Sequence, residues 1–372
     1  FKQKTAYEIM PSLVGSEMCI RDRLHGGHGT RLRPLTHTGP KQLLPIANKP
    51  MSEYCVETLI ESGITDIAFI IGGIGADKVK EYYGDGTKYD ANFSYIQQDY
   101  PKGIAHAVSL CKDFVGNEKF VVFLGDNIIQ RSISEYLLNF KNSDADASLL
   151  LCEVSNPSQF GIAEIKNEKI IKIIEKPKNP ASNLAVTGIY FLTPHIFSVI
   201  EKLKPSWRNE LEIADALQML VEDNRNVIFE KITEFWKDTG TPNDIIEANK
   251  ILLNNLPTEF QGEKEEDVIL EGKIIVGHGT IIKTGVKIVG PVIIGKNCVI
   301  ENNAVIGENT SIGDESKIIG GNISNSIIMS NCTIQGELTI RDSIIASNSK
   351  IEQKRDNKSE KLLLGEGTQI SI

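Results

Sequence analysis

Paired cysteines, long apolar runs and an excess of basic charge are all missing from this chain, and each absence removes a class of protein. The six cysteines, Cys19, Cys55, Cys111, Cys152, Cys298 and Cys332, are scattered singly, with no Cys-x-x-Cys among them. That spacing argues against a disulfide framework or a zinc site. It fits thiols that act as small half-buried hydrophobes in a reducing, cytoplasmic setting. No stretch of about eighteen apolar residues occurs, so no membrane span and no membrane partner is expected. The amino end lacks the charged-then-apolar layout of a secretion signal. With 40 Lys and Arg against 49 Asp and Glu, the net charge of −9 offers no basic field for nucleic acid. Hydrophobic residues still make up 41% of the 372, ample for packed cores, and the length suggests about two domains.

What is present falls into three textures. Residues 1–23 show no useful periodicity and read as an irregular or non-native segment. Residues 24–255 alternate short apolar runs with helical patterns. Ile67–Ile71 and Phe120–Leu124 read as buried strands, and Ala76–Tyr83, Ile104–Phe114 and Glu210–Asp223 as helices, the last with Leu211, Ala214, Leu217 and Val221 on one face. Strand–helix alternation of this kind predicts an α/β domain around a mixed, mostly parallel sheet. Residues 255–267 read as a polar connector. From residue 268 to 372 the period changes. Leu270, Val276, Ile282, Ile288, Ile294, Ile300, Ile306, Ile312 and Ile318 fall six apart, and after a shift in phase Ile328, Ile334 and Ile340 resume the step. Six is neither a helical nor a strand period. It is the period of hexapeptide repeats, in which each repeat forms one face of a triangular parallel β-coil and its aliphatic residue points inward.

The densest chemical signal is Gly26-Gly-His-Gly-Thr-Arg-Leu-Arg-Pro34. Gly26, Gly27 and Gly29 allow close backbone approach, and successive N–H groups in such a loop form an anion cradle. Arg31 adds a fork suited to phosphate oxygens, and Lys41 follows in Pro40-Lys-Gln-Leu-Leu-Pro45. The spacing is that of neither the Walker loop nor the dinucleotide fingerprint. Asp126 closes an apolar strand in Leu124-Gly-Asp-Asn127, at the carboxyl end where open α/β sheets bind ligands. Asp238 lies in Lys237-Asp-Thr-Gly240. Two carboxylates completed by phosphate oxygens and waters suit Mg²⁺.

These motifs resemble the sugar-1-phosphate nucleotidylyltransferases, and Lys41-Gln-Leu-Leu-Pro45 is similar to the form found in glucose-1-phosphate thymidylyltransferases. The resemblance continues through Gln98 with Gly103-Ile-Ala105, Phe160-Gly161, Glu175-Lys-Pro177, Val186-Thr-Gly-Ile-Tyr-Phe191 and Trp236-Lys-Asp-Thr-Gly-Thr241. The repeats match the long form of that enzyme, which carries a left-handed β-helix. The resemblance implies transfer of a thymidylyl group from dTTP to glucose 1-phosphate with Mg²⁺ as cofactor, in a homo-oligomer. It assigns Arg31, Lys41 and Asp126 to catalysis. Leu24, Gly26, Gly27, Gly29, Thr30, Arg31, Gln42, Gln98 and Gly103 would bind the nucleotide. Gly161, Glu175, Lys176 and Val186 would bind the sugar phosphate, and Asp126 and Asp238 the metal. Two alternatives share the architecture: a transferase using UTP or several nucleotides, with or without acetyl transfer, and a non-catalytic regulatory subunit. His278, alone of the histidines, lies among the repeats, and its place at a coil corner argues for a structural tail.

The pattern breaks in two places. Family members enter the glycine loop from a short apolar strand, whereas Arg21-Asp-Arg23 is poor material for a buried parallel strand. The expected outcomes are a weakened first strand, or a strand in which Ile20 and Leu24 still enter the sheet. The second departure is Arg208-Asn-Glu210, where Gly usually precedes Glu.

Overall fold

The computed structural model describes residues 18–21, 30–37, 39–73, 75–100, 102–353, 359–360, 363–364 and 369–371. The chain divides into two compact units, Phe1–Gly27 with Ser52–Trp236, and His28–Met51 with Lys237–Ile372.

The first unit is built on a nine-stranded sheet. Its strands are β1 (Met18–Arg21), β2 (Asp66–Ile71), β3 (Asn92–Gln97), β4 (Phe120–Leu124), β5 (Ala147–Glu153), β6 (Gly161–Lys166), β7 (Lys169–Glu175), β8 (Leu184–Leu192) and β9 (Val227–Ile232). They lie in the order β7-β6-β8-β4-β1-β2-β3, with β5 on β8 and β9 on β5. Parallel pairing runs through β4, β1, β2 and β3, whereas β8 is antiparallel to β4, β5 and β6. The sheet is therefore mixed, with its parallel character gathered in one half and in the β5–β9 pair. All of β4 and β8, and all of β2 after Asp66, are buried, which is why β2 and β4 read as apolar runs.

Of the two outcomes expected for the first strand, the structure shows the one in which Ile20 enters the sheet, while Leu24 lies outside the described residues. Within residues 1–23, Met18–Arg21 forms β1 at the centre of the sheet, with Ile20 opposite both Phe69 and Phe123. A parallel ladder is made by main-chain groups, and the apolar β2 and β4 on either side supply them whatever side chains β1 carries. Of the expected helices, α1 (Ala76–Tyr83) matches its reading. The stretch 104–114 is two short helices, α2 (Ile104–Ser109) and α3 (Lys112–Val115). The Ser109 hydroxyl donates to the His106 carbonyl, and the Leu110 and Cys111 N–H groups take partners three residues back, which tightens and ends the first helix. The helix expected over 210–223 is α4 (Ile213–Glu222), burying Ile213, Ala214, Leu217 and Leu220.

In the second unit, α5 (Pro242–Asn255) starts on a capping box in which Thr241 Oγ1 accepts from Asp244 N and the Asp244 carboxylate accepts from Thr241 N. The repeats form a parallel β-helix whose three sheets contain seven, seven and six short strands. Each coil takes eighteen residues at first, so that Ile274 pairs with Val292 and Ile282 with Ile300. The repeat isoleucines and valines from Val276 onward are buried in one continuous core. The change of phase has a local cause: Ile323 fills the inward position between Ile318 and Ile328 in two steps of five residues. The first short step turns at Gly320 and Gly321, both at positive φ, and a Cβ on Gly321 would stand 2.7 Å from the Leu338 carbonyl oxygen.

The expected connector 255–267 is already coil. Glu259–Phe260 and Glu263–Lys264 pair in parallel with Ile275–Val276 and Ile281–Ile282. A terminal coil contributes main chain to the ladder while its side chains face water, so it can be polar. Residues 28–51 and 237–255, expected with the α/β domain, share this unit. The buried Asn249 of α5 is one reason. Its Oδ1 accepts from Ala47 N at 2.8 Å and Ser311 Oγ at 2.6 Å, and its Nδ2 donates to the Asn309 carbonyl at 3.0 Å.

The thiols divide. Cys298 and Cys332 fill inward positions of the coil, their Sγ atoms 3.2 Å and 3.1 Å from the carbonyls of Gly313 and Ala346, and burial pushes the Cys332 thiol up to about 11. Cys55 and Cys152 are also free, but Cys111 is disulfide-bonded, against the expectation of unpaired thiols throughout. Spacing along the chain does not show which side chains a fold brings together. Among the described residues no helix is long and apolar enough to cross a membrane.

Replacing Asn249 with Leu should orphan the Ala47 N–H and the Asn309 carbonyl at about 1–3 kcal/mol each. Urea denaturation should show a lower midpoint for this variant; an unchanged midpoint would remove Asn249 as an anchor of the unit.

Candidate active site

In the first unit the expected residues lie on or just beyond strands of the sheet, from β7 and β6 at one edge through β8 and β4 to β3 at the other. Gly161 and Glu175 are direct cross-strand partners on β6 and β7. A Cβ on Gly161 would lie 3.2 Å from Glu175 Oε2, so glycine leaves this carboxylate its space. Lys176 follows with φ at 43°, a left-handed conformation that a lysine adopts at a cost, and its N–H donates to the Phe160 carbonyl at 2.9 Å. Its Nζ sits 3.5 Å from Glu175 Oε1. Val186 lies on the buried strand β8, next to Ala185, which pairs with Ile162.

Arg208 joins this group, although nothing in the sequence marked it as a site residue. Its guanidinium lies 3.6 Å from Glu175, 3.3 Å from Glu210 and 3.3 Å from Glu212. Glu210 Oε2 is buried with no hydrogen-bond partner. Burial, helped by the charge of Glu212, raises the pKa of Asp215. The Arg208-Asn-Glu210 departure has a simple account. Asn209 has φ at 58°, the conformation glycine would otherwise supply, and Asn tolerates it. The same loop reaches Gly103, beside Gln98. Leu211 N donates to Lys102 O, and Leu211 O accepts from Ala105 N, across Gly103. Gly103 has φ at 99°, and a Cβ there would meet the Leu211 carbonyl at 2.3 Å. Gln98, only 4% exposed, follows β3 and places its Nε2 2.8 Å from His106 Nδ1 on α2.

Asp126 is buried just beyond β4, and its Oδ1 accepts from Asn127 Nδ2 at 2.8 Å. Asn127 Oδ1 accepts in turn from Gly188 N at 3.1 Å and from the Trp236 indole at 2.8 Å. Trp236 packs edge-on against Phe160, with ring centroids 5.7 Å apart, beside the main chain that holds Lys176. The residues from Asp126 round to Gln98 thus form one connected group. Asn127 and Trp236 stand inside quoted motifs, and Arg208 and His106 beside them. Spacing alone did not say what each would touch.

The second unit carries the remaining calls. Thr30 opens a short helical turn, Thr30–Leu32, in which Arg31 is exposed. Lys41 opens another, Lys41–Leu43, with Lys41 half-buried and Gln42 fully buried. Asp238 is half-buried two residues before Gly240. Leu24, Gly26, Gly27 and Gly29 lie outside the described residues.

A connected group of buried and half-buried carboxylates, a lysine and an arginine beside the strands of a mixed sheet has the charge and hydrogen-bonding groups to receive a phosphorylated polar ligand. The nucleotidyl transferase family matches residues 24–255, and a C-terminal domain described as that of GMPPB matches residues 288–371. The chain belongs to the nucleotidyl transferase family. It is 41% identical to a low-salt glycan biosynthesis nucleotidyltransferase of Haloferax volcanii, over 94% of this chain and 99% of that protein. It is 38% identical to a glucose-1-phosphate thymidylyltransferase of Streptomyces antibioticus, over 94% of this chain and 98% of that one. Among solved structures, a Bacillus anthracis protein provisionally assigned as a glucose-1-phosphate thymidylyltransferase, in complex with sucrose, is 40% identical. It superposes with a TM-score of 0.61 over 66% of this chain and 98% of that one.

Replacing Asn127 with Ala removes the acceptor of two buried donors and should cost about 1–3 kcal/mol for each. Of the two tryptophans, Trp207 is already 87% exposed, so a red shift in emission would report Trp236. A variant with unaltered emission and stability would contradict the role of Asn127.

Proposed function

We propose that the protein transfers a thymidylyl group from dTTP to glucose 1-phosphate, releasing pyrophosphate. The observation that carries this reading is the Glu175–Lys176 pair opposite Gly161, in which a strained lysine backbone holds a cation against a carboxylate. A carboxylate that accepts from sugar hydroxyls beside an ammonium that binds phosphate suits a sugar phosphate. Glu210 Oε2 offers a further buried acceptor whose desolvation a ligand hydroxyl would offset. Lys176 would orient the sugar phosphate so that its oxygen attacks the α-phosphorus in line while the bond to pyrophosphate breaks. Arg31 and Lys41 would hold the triphosphate and neutralise the charge gathering on the leaving group.

Asp126 and Asp238 would hold Mg²⁺. Both offer hard carboxylate oxygens, the donors this ion takes, and Asn127 Nδ2 fixes the orientation of the first. Among the described residues no group of three or more His, Cys, Asp or Glu converges on one point, so phosphate oxygens and waters would complete the shell. When bound, the ion supplies positive charge against the phosphate oxygens.

The test is pyrophosphate release from the full chain with Mg²⁺ and glucose 1-phosphate, comparing dTTP, UTP, ATP, GTP and CTP. Preferred release with dTTP is expected. Preference for UTP would move the protein to uridylyl transfer, and no release with any nucleotide would favour a regulatory subunit. In the same assay Asp126→Asn and Lys41→Ala should lower kcat on the order of a hundredfold. Lys176→Ala should act chiefly on KM for glucose 1-phosphate, raising it roughly tenfold. A Lys176→Ala enzyme with unchanged KM would overturn the sugar-phosphate assignment.

A further inference from the structure

We infer that His106 is a positioning residue that locks the amide of Gln98 in one orientation and thereby selects a pyrimidine carrying an N3–H over cytosine. This rests on the reading of Gln98 as the residue that meets the nucleobase edge. The main chain at Gln98 is held: its N–H donates to the Ile71 carbonyl at 2.7 Å, and a Cβ on Gly72 would stand 2.3 Å from its own carbonyl oxygen. The side chain is nearly sealed from water. What remains free in such a residue is a half-turn of the terminal amide, which exchanges oxygen for nitrogen at almost the same position.

His106 ties that freedom to its own tautomer. Gln98 Nε2 lies 2.8 Å from His106 Nδ1. With the amide nitrogen toward the ring, Nδ1 accepts and the imidazole carries its proton on Nε2; the opposite tautomer would instead draw the amide oxygen to an Nδ1–H. His106 is itself fixed in α2, its carbonyl accepting from Ser109 Oγ at 2.7 Å and from Leu110 N at 3.3 Å. One N–H of Gln98 is then committed to the ring, leaving Oε1 and the second N–H for a ligand in a set order. Thymine and uracil present N3–H beside O4, a donor beside an acceptor, which that order satisfies. Cytosine presents the reverse at the same two positions, an acceptor at N3 beside a donor at N4. It fits only if the amide turns over, and with the imidazole proton on Nε2 that turn would set Oε1 against an accepting ring nitrogen.

The experiment compares kcat/KM for dTTP and dCTP, with glucose 1-phosphate and Mg²⁺, in the full chain. His106→Leu removes the lock and should lower the dTTP-to-dCTP ratio roughly tenfold, the worth of one base-edge pairing. His106→Glu, an acceptor only, should keep the ratio. His106→Lys, a donor only, should turn the amide and shift preference toward dCTP. A merely structural histidine would give Glu and Lys variants with the same ratio, and that result would overturn the inference. Gln98→Ala separates the two layers: if it abolishes selectivity while all three His106 variants retain it, the base contact stands and the lock falls. If Gln98→Ala leaves selectivity intact, the base contact falls and the lock with it. Nitrogen-15 NMR of histidine-labelled wild-type protein reads the tautomer with no variant at all. A proton on Nε2 supports the lock, and a proton on Nδ1 overturns it.

Discussion

The site depends on one buried amide. Asn127 Oδ1 accepts from the Gly188 N–H and from the Trp236 indole, and its Nδ2 donates to Asp126. Both lone pairs of the oxygen are used, and no other small side chain offers the same set. Aspartate would lose the donor and place a second negative charge beside Asp126; leucine would strand two buried N–H groups. The amide also explains a glycine. Gly188 does not need a left-handed backbone; it needs to lack a Cβ, which would fall 2.6–2.8 Å from the Asn127 amide atoms. The glycine in the β8 motif therefore serves the neighbouring strand end.

A second dependence runs through the loop that follows Ser206. Arg208 faces Glu175, Glu210 and Glu212, and Leu211 grips the backbone on both sides of Gly103. One short segment thus touches the residues proposed for the sugar phosphate and those proposed for the base. These ion pairs are partly buried, so their main effect is to fix geometry, since desolvation offsets much of the attraction. Asn209 makes the turn possible without glycine.

Much of this was legible in the residues, and the limits follow from what each signal measures. The six-residue step reports side chains pointing into a coil, so it located the β-helix core from Val276 to Ile340. It was blind to Glu259–Lys264, whose coil contributes main-chain pairing with polar side chains. For the same reason the residues left β1 between two outcomes: hydrophobicity argued for a weakened strand, and the ladder with β2 and β4 realises the other, with Ile20 in the sheet. The stretch 104–114 kept a helical pattern through a break made by hydrogen bonds at Ser109 and Cys111, which periodicity does not register. Motifs named Gln98, Glu175 and Lys176, but the partners that orient them, His106 and Arg208, became visible only in space.

Asn249 in the second unit repeats the logic of Asn127. Its oxygen accepts two hydrogen bonds and its nitrogen gives one. It shares the buried face of α5 with Ile245, Ala248 and Leu253, where a sequence reading expects another apolar residue. Satisfied amides of this kind add little net stability, since the unfolded chain makes equivalent bonds to water. What they add is selectivity among packings, because any alternative that leaves one of their partners dry costs the full desolvation of that group. An apolar residue at either position would tolerate several nearby arrangements. The amide admits the one in which all its partners are in reach, and a carboxylate proposed to meet a ligand at a set point requires that restriction.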